Sequence, residues 1–381
     1  MQLLQRLKRL SKNYENKDFL YDFLIIFNEI KLISNHFQRR ILTRTMNKAI
    51  TLKDIATKLN MSVSTVSKAL NNNVLISALT RERVRKVAEE WNYTPNEVAR
   101  HFKLNKTFTV GLIIPNMLDQ FYALAINGVE YIAGLEKYNV IVSQSYENPE
   151  KEEKIVELMK RNRVDGLIIA TTKQTQDMTL FHRLESIGIP VVFFVRPPKE
   201  SSFDSVAADN EAGALEATEF LIKKGHKRIA HLMGPVSMEV SQIRFNGYKK
   251  ALQKNSLFFD PDLVKVVTLT TKSTFKTMIE LMKIKNPPTG IFAFKNYLSL
   301  DAIEYLKRNN PSKIKKVDFT GFGKLPLLQY LDKKPVASID ENSYQIGLEA
   351  AKLLFKKIDA QNTGQIAIPR QIKVPGKLVV H

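Results

Sequence analysis

Residues 51–71 read TLKDIATKLNMSVSTVSKALN, and this stretch predicts two short helices joined by a tight turn. Thr51 and Asp54 have the spacing of a capping box, and apolar residues recur behind them at helical intervals. After the turn NMS, Ser62 can cap a second helix over residues 63–70 by accepting a hydrogen bond from an early backbone N–H. Two helices joined in this way form a helix-turn-helix unit, whose second helix can enter the major groove of DNA.

A third helix is predicted over residues 81–91, RERVRKVAEEW, with Thr80 as its cap. Its apolar residues form one inward stripe, whereas its arginines and its lysine stay in solvent. That stripe comprises Val84, Val87, Ala88 and Trp91. Three short helices in about 45 residues are enough to make a small bundle.

The distribution of charge points to a polyanionic partner. Residues 1–108 carry +11 of the net charge of +20. Lysine and arginine gain free energy by releasing the counterions condensed on phosphates, so a basic N-terminal third suggests nucleic acid. Taken alone, the charge is equally explained by a lysine-rich proteome.

The first 45 residues lack a comparable pattern. Residues 1–45 form an irregular amphipathic stretch, and Met46 opens the well-patterned segment, which raises the hypothesis that the cellular protein starts at Met46. The apolar run at 23–27 is far short of the roughly 20 residues that span a bilayer. No small-residue cleavage site follows it. The chain is therefore expected in the cytoplasm, associated with the nucleoid, with no membrane partner.

From Thr109 onward, β-rich apolar runs alternate with amphipathic helical windows. Alternation of this kind predicts parallel sheets covered on both faces, a doubly wound α/β architecture. About 270 residues is too much for one such sheet, so two lobes are expected. The runs include VGLII (110–114), NVIVS (139–143), DGLIIA (165–170), PVVFFV (190–195), RIAHLM (228–233) and GIFAF (290–294).

The opening stretch, with TRERV at 80–84, Tyr93, PNEVAR at 95–100 and Thr107, resembles the lactose/galactose repressor (LacI-type) family of bacterial transcriptional regulators. The likeness covers Ile50 to the C-terminus. It implies a multi-domain protein with an all-α helix-turn-helix headpiece and an α/β two-lobed core similar to periplasmic binding proteins.

The domain boundaries follow from this resemblance. Residues 1–45 are an extension of unclear role, 46–93 the headpiece, 94–108 a hinge helix or linker, and 109–381 the effector-binding and dimerisation core. Three crossing strands would join the two lobes. Lobe 1 takes about 109–208 and 341–368, and lobe 2 about 209–340 and 369–381.

The resemblance also assigns DNA-binding residues on the second helix. The positions that contact bases in the family hold Val63, Ser64 and Lys68. A valine suits a thymine methyl, and a lysine suits guanine acceptors or a phosphate. Thr65 and Ser67 are expected to donate to phosphate oxygens, which sets register without reading sequence. For Ser64 and Ser67, simple surface solvation is the alternative.

In the hinge, Asn96, Ala99 and Arg100 match the family pattern. Phe102 departs from it, since this position usually carries a leucine wedge. A phenylalanine can also separate a base step and kink the duplex, so minor-groove insertion is the interpretation here. Packing of Phe102 against a partner hinge or the core is the alternative.

The cleft between the lobes is the expected effector site. By resemblance its lining includes Phe121, Tyr122, Arg196, Arg244 and Asn296. Aromatic faces with arginine forks suit sugars, sugar phosphates or other polar metabolites. Phe121 and Tyr122 have a core role as their alternative, and Arg244 a structural ion pair.

Two departures weaken an assignment to a particular sugar. Gly323 and Val195 stand where the family often carries aspartates. The overall interpretation is a repressor that binds a pseudo-palindromic operator on double-stranded DNA as a homodimer or higher oligomer. A small-molecule effector, a sugar or sugar derivative, would modulate the operator affinity through its differential affinity for the states of the core.

An enzyme and a transport-type binding protein are the rival classes. The chain has no nucleophile elbow, dinucleotide fingerprint or phosphate loop, and its six histidines lack metal-ligand spacing. Its lack of cysteine excludes disulfides and thiolate metal sites. No catalytic residue, metal or cofactor is therefore predicted. The attached headpiece argues against a transport receptor.

Overall fold

A computed structural model describes residues 50–94, 106–198, 202–362 and 368–381. The chain divides into two compact units. Their described parts are named here the headpiece, residues 50–94, and the core, which comprises the three later ranges.

The headpiece contains three helices: α1 (Leu52–Leu59), α2 (Val63–Leu70) and α3 (Ala78–Glu90). The predicted capping box is confirmed, because the Thr51 side chain accepts from the N–H of Asp54 while Asp54 Oδ2 accepts from the N–H of Thr51 at 2.8 Å. The Ser62 cap is confirmed as well, with Thr65 N donating to Ser62 Oγ at 3.0 Å. These caps set where α1 and α2 begin.

The predicted start of α3 is wrong. Ser77, rather than Thr80, caps this helix, and its Oγ accepts from the N–H of Thr80 at 3.2 Å. The Thr80 hydroxyl lies 2.9 Å from the same oxygen. Because Ser77 lies three residues before Thr80, the helix begins at Ala78 rather than at the predicted residue 81.

The three helices enclose a small apolar core. Its fully or nearly buried members are two residues from each helix, with the larger side chains half-buried around them. Trp91 and Leu70 belong to the half-buried shell. The buried members are Ile55, Ala56, Val66, Ala69, Val84 and Ala88. Burying one face of α2 in this way fixes which face remains in solvent.

The core contains two sheets, which confirms the predicted two-lobed α/β architecture. Their strand orders are β11-β5-β4-β3-β1-β2 and β12-β10-β9-β8-β6-β7, and every pairing is parallel except β10 with β12. The strands are β1 (Thr109–Ile114), β2 (Asn139–Gln144), β3 (Gly166–Ile169), β4 (Val191–Phe194), β5 (Asp204–Ala208), β6 (Ile229–Met233), β7 (Val264–Val266), β8 (Gly290–Ala293), β9 (Asp318–Phe322), β10 (Ala337–Asp340), β11 (Gln371–Val374) and β12 (Lys377–Val380).

Helices cover both sheets. The first sheet with α4, α5, α6 and α11 is called lobe 1, and the second sheet with α7, α8, α9 and α10 is called lobe 2. The helices are α4 (Gln120–Leu135), α5 (Pro149–Arg161), α6 (Thr179–Ser186), α7 (Asn210–Lys223), α8 (Glu239–Lys254), α9 (Thr271–Lys283), α10 (Asn296–Asn309) and α11 (Ser343–Asn362). Short 3₁₀ turns occur at Pro261–Leu263, Ile314–Lys316 and Pro326–Tyr330.

The chain passes between the lobes three times: after β5, after β10 and between β11 and β12. One detail of the predicted lobes is wrong. The prediction assigns residues 369–381 to lobe 2, but β11, within that range, pairs in parallel with β5 in lobe 1. The reason is apolar burial, since Val374 is only 3% exposed within the lobe 1 core. The other predicted domain boundaries stay predictions.

Close helix packing positions the start of α4, which faces the cleft. A Cβ on Gly128 of α4 would overlap the carbonyl oxygen of Tyr344. One on Gly347 of α11 would overlap that of Ala125. Only glycine lets these two backbones approach so closely. Across the described ranges, no helix combines the length and apolar character needed to cross a membrane.

Candidate functional site

The headpiece presents the outer face of α2 to solvent. Val63 is 44% exposed although it is apolar, and Ser64 and Lys68 are exposed beside it. On the opposite face, Val66 and Ala69 are fully buried. The structure therefore brings the three predicted base-contacting residues together on one accessible surface, where their roles stay predictions.

Hydroxyl groups cluster at the N-terminus of α2. Ser62 Oγ lies 2.9 Å from Ser64 Oγ and 2.8 Å from Thr65 Oγ1. Thr65 and Ser67 are half-buried. Free N–H groups and the helix dipole make such an N-terminus favourable for an anion, and the hydroxyls add donors. This arrangement is compatible with the predicted phosphate contacts of Thr65 and Ser67.

A further contact steadies the segment after α2, and the sequence pattern did not reveal it. The Arg85 guanidinium on α3 donates to the Asn72 side chain, which lies just beyond α2. Asn72 has a left-handed backbone conformation, φ 55°, which asparagine tolerates better than most residues. The predicted hinge residues Asn96, Ala99, Arg100 and Phe102 lie outside the described residues.

In the core, Phe121 and Tyr122 lie in the first turn of α4, whose N-cap is Asp119. Tyr122 is 4% exposed and packs edge-on against Phe194, with ring centroids 6.2 Å apart. Burial raises the pKa of the Tyr122 hydroxyl above its usual range. Phe121 is only half-buried and contacts Tyr122 edge-on at 5.5 Å. Tyr122 thus belongs both to the lobe 1 core and to the cleft wall.

Arg196 is held at the end of β4 by a carboxylate. Its guanidinium donates to both carboxylate oxygens of Glu147, at 2.7 and 3.0 Å, and to the carbonyl of Thr171 at 2.6 Å. Burial alone would raise the pKa of Glu147, but the hydrogen bond and charge of Arg196 outweigh burial and lower it. Val195 precedes this arginine at φ 67°, a strained value for a β-branched residue.

Arg244 is almost entirely committed to protein partners. It donates twice to Asn210 Oδ1, at 2.7 and 2.9 Å, and once each to the Phe294 carbonyl at 2.5 Å and Glu341 at 2.7 Å. The guanidinium also lies 3.5 Å from the ring centroid of Phe322. The pair with Glu341 is the structural ion pair given above as the alternative role of Arg244. Asn210 and Glu341 each adjoin a crossover between the lobes.

Asn296 lines neither pocket of the cleft, although Lys295 and Tyr297 beside it line the outer one. It is fully buried, and its amide nitrogen donates to the Gly323 carbonyl and to Ser338 Oγ, both at 2.6 Å. Gly323 adopts φ 102°, which explains a glycine at this position. Asn296 therefore orients the loop that carries Gly323, and the geometry gives no support to a direct contact between Asn296 and a ligand.

The cleft contains two adjoining cavities. The inner pocket, about 50 Å³, is lined by the other four predicted effector residues, Phe121, Tyr122, Arg196 and Arg244. The outer pocket, about 520 Å³, lies within the 300–1,000 Å³ typical of ligand sites. Its wall is largely new to the site, including Tyr297, Lys324, Leu325, Gln329, Lys334 and His381.

Four residues line both pockets: Asp119, Phe121, Lys295 and Glu341. Lys295 Nζ donates to Asp119 Oδ2 at 2.6 Å, which joins the N-terminus of α10 to that of α4. Sequence reasoning missed this pair. The two residues are 176 positions apart, and no local pattern connects them.

Family models match residues in both units of the chain. Residues 51–96 match the family described as bacterial regulatory proteins, lacI family, and residues 107–379 match the periplasmic binding proteins and sugar binding domain of the LacI family. The HTH-type transcriptional repressor CytR of Escherichia coli K12 is 30% identical over 316 residues, which is 83% of this chain and 92% of CytR.

Solved structures show the same fold. The transcriptional regulator CelR in complex with cellobiose has a TM-score of 0.63 and 26% identity, and the alignment covers 87% of this chain and 98% of that one. The Lac repressor dimer bound to operator and the anti-inducer ONPF has a TM-score of 0.72 with 22% identity over the same shares. At that identity, the Lac repressor likeness concerns the fold alone.

Proposed function

The chain belongs to the LacI family of bacterial transcriptional regulators, and from this premise we propose that it is a repressor that binds a pseudo-palindromic operator as a homodimer. We further propose that a small molecule in the cleft, a sugar or sugar derivative, changes its affinity for the operator. CytR is named a repressor, and the CelR structure contains cellobiose. A regulator of this kind would act on the nucleoid in the cytoplasm.

One observation carries the DNA-binding proposal: the exposed face of α2 beside the capped N-terminus of that helix. The exposed side chain of Val63 is apolar and forms no hydrogen bonds with water, whereas contact with a thymine methyl would bury its apolar surface. Ser64 and Lys68 would contact bases or backbone from the same face, and Thr65 and Ser67 would contact phosphates.

Minor-groove contacts from the hinge complete the DNA side of the proposal. Asn96, Ala99, Arg100 and Phe102 would act there, with the Phe102 ring wedged into a base step. A Phe102→Ala variant should lose about 1–3 kcal/mol of operator affinity at constant salt, the scale of a lost specific contact. An unchanged affinity would contradict the insertion.

The effector side rests on the chemistry of the cleft. Phe121 offers an aromatic face, and Arg196 holds its guanidinium towards the inner pocket. Arg244 ties Asn210 to Glu341, so a ligand that contacts this arginine would be linked to two crossovers between the lobes. A ligand shifts the operator affinity only if it binds the two states of the core differently.

The decisive experiment is selection of DNA sites by the full chain, followed by footprinting of the selected duplexes. An inverted repeat should be protected, and Val63→Ala should relax preference at one base pair per half-site. Lys68→Ala should lower the slope of log affinity against log salt by about 1 if the lysine contacts a phosphate. Glu90→Ala, an exposed change at the end of α3, is the matched control.

The same experiment separates the rival classes. A transport-type binding protein would show no sequence-selective protection under low ionic strength, and neither would an enzyme acting on small molecules. Complete absence of a protected inverted repeat would overturn the proposed function.

A further inference from the structure

The ion pair between Asp119 and Lys295 crosses the cleft. Asp119 belongs to lobe 1, where its Oδ1 caps α4 by accepting from the Phe121 N–H at 3.1 Å. Its Oδ2 accepts from Lys295 of lobe 2 at 2.6 Å. One carboxylate therefore serves the fold of its own lobe and a contact with the other lobe at the same time.

The position of Lys295 is unfavourable without this partner. It occupies the N-cap of α10, where no side chain caps the helix and the helix dipole disfavours a positive charge. A carboxylate 2.6 Å away offsets that repulsion. Among the described residues, the carboxylate that pairs with this lysine is supplied by Asp119 of lobe 1.

Among the ion pairs formed by the described residues, this one alone links the lobes away from the crossovers. The pair of Arg244 with Glu341 lies at the crossover after β10. The pair of Lys324 with Asp340 borders the outer pocket, but both of its residues belong to lobe 2. Three crossovers allow hinge motion, and a contact between the lobes away from the crossovers can set the angle of the hinge.

We propose that Asp119 and Lys295 form an ionic latch that holds the lobes together and separates the inner pocket from the outer one. A ligand that extends through both pockets has to replace the latch. It must offer an acceptor to Lys295 and a donor to Asp119, which neighbouring hydroxyl groups of a neutral polyol do. A phosphate would instead face the Asp119 carboxylate.

The latch is measurable without DNA or effector. The chain has no cysteine, so Glu153→Cys on α5 and Lys276→Cys on α9 place one spin label on an exposed site of each lobe. Labelled chain is refolded with an excess of unlabelled chain, so that a homodimer carries labels in one protomer only, and pulsed electron spin resonance then gives the distribution of distances between the lobes of that protomer. Asp119→Asn keeps the helix cap, and Lys295→Met keeps the apolar stem, so both variants remove the charge with little change of shape.

Each single variant should shift the distribution to longer distances and broaden it. The double variant Asp119→Asn with Lys295→Met, which keeps the cap of α4, should shift it no further than either single variant, because both changes remove one interaction. Salt near 1 M, where the Debye length is about 3 Å, should shift the distribution in the same direction but less than the single variants, because the pair is partly exposed, 34% for Lys295 and 22% for Asp119, while its two atoms lie only 2.6 Å apart. Lys324→Met removes a cleft lysine paired within lobe 2 and should leave the distances unchanged.

Distributions of Asp119→Asn and Lys295→Met that superimpose on wild type would overturn the latch, and so would an equal shift in Lys324→Met. The inference rests on the proposed function only for its consequence for effector binding. A latch can be present in a chain that fails to protect any operator, so the two proposals fail independently.

Discussion

Replacing Glu341 by glutamine should destabilise the core strongly, because it leaves the buried guanidinium of Arg244 without its carboxylate partner. Arg244 is 3% exposed, and Glu341 is its one carboxylate partner within hydrogen-bond distance among the described residues. Burial lowers the pKa of Arg244 from its usual value, yet a guanidinium stays charged in proteins. The variant keeps the shape of the side chain and removes only the balancing charge.

The size of the effect follows from burial. Removing one partner of a buried ion pair costs about 3–5 kcal/mol. The Glu341 side chain keeps 11% exposure at the cleft wall, which admits some water, so we expect the lower end, about 3 kcal/mol. The matched control is Glu304→Gln, whose carboxylate is 44% exposed and pairs with Arg308 at 2.6 Å. An exposed pair of this kind should cost about 0.5 kcal/mol or less.

Urea unfolding of the full chain, followed by circular dichroism, measures the free energy of unfolding of the core. The double variant Glu341→Gln with Arg244→Met should cost less than the sum of the two single changes, because their effects share one interaction. Equal costs for Glu341→Gln and Glu304→Gln, or strict additivity in the cycle, would refute the buried-charge argument.

Three further predictions concern stability. Ser62→Ala should destabilise the headpiece by about 1 kcal/mol through loss of the α2 cap, measured by the fluorescence of Trp91, the single tryptophan; Thr57→Ala at an exposed site is its control. Gly347→Ala should cost at least about 1–3 kcal/mol in urea unfolding because its Cβ would overlap backbone, whereas Gly134→Ala, with open space, should not destabilise. Burial lowers the pKa of His231 to about 4, below its usual 6.5. Between these pH values the unfolded chain binds more protons than the folded one, so the free energy of unfolding should fall on acidification from pH 6.5 to 4. His231→Phe, stacked on the same aromatic neighbours, should flatten that part of the stability–pH curve, and an unchanged slope would contradict the assignment.

Local patterns were enough for several elements. The capping box at Thr51 and the cap at Ser62 were predictable because each involves residues three positions apart. The start of α3 was not, since Ser77 and Thr80 are both good caps. In the structure Ile76, directly before Ser77, packs against the headpiece core, whereas Ala78 and Leu79 stay exposed. Strand and helix alternation predicted the two-lobed α/β core because each element repeats its own apolar period.

The sites divide in the same way. The sequence by itself determined the exposed face of α2, since burying Val66 leaves Val63, Ser64 and Lys68 outside, and it also pointed to four residues of the inner pocket. Only the tertiary structure decided that Asn296 turns inward, that β11 joins lobe 1, and that Lys295 meets Asp119. Those outcomes depend on contacts between segments far apart in the sequence. Such contacts leave no local sequence pattern, because their partners become neighbours only when the chain folds.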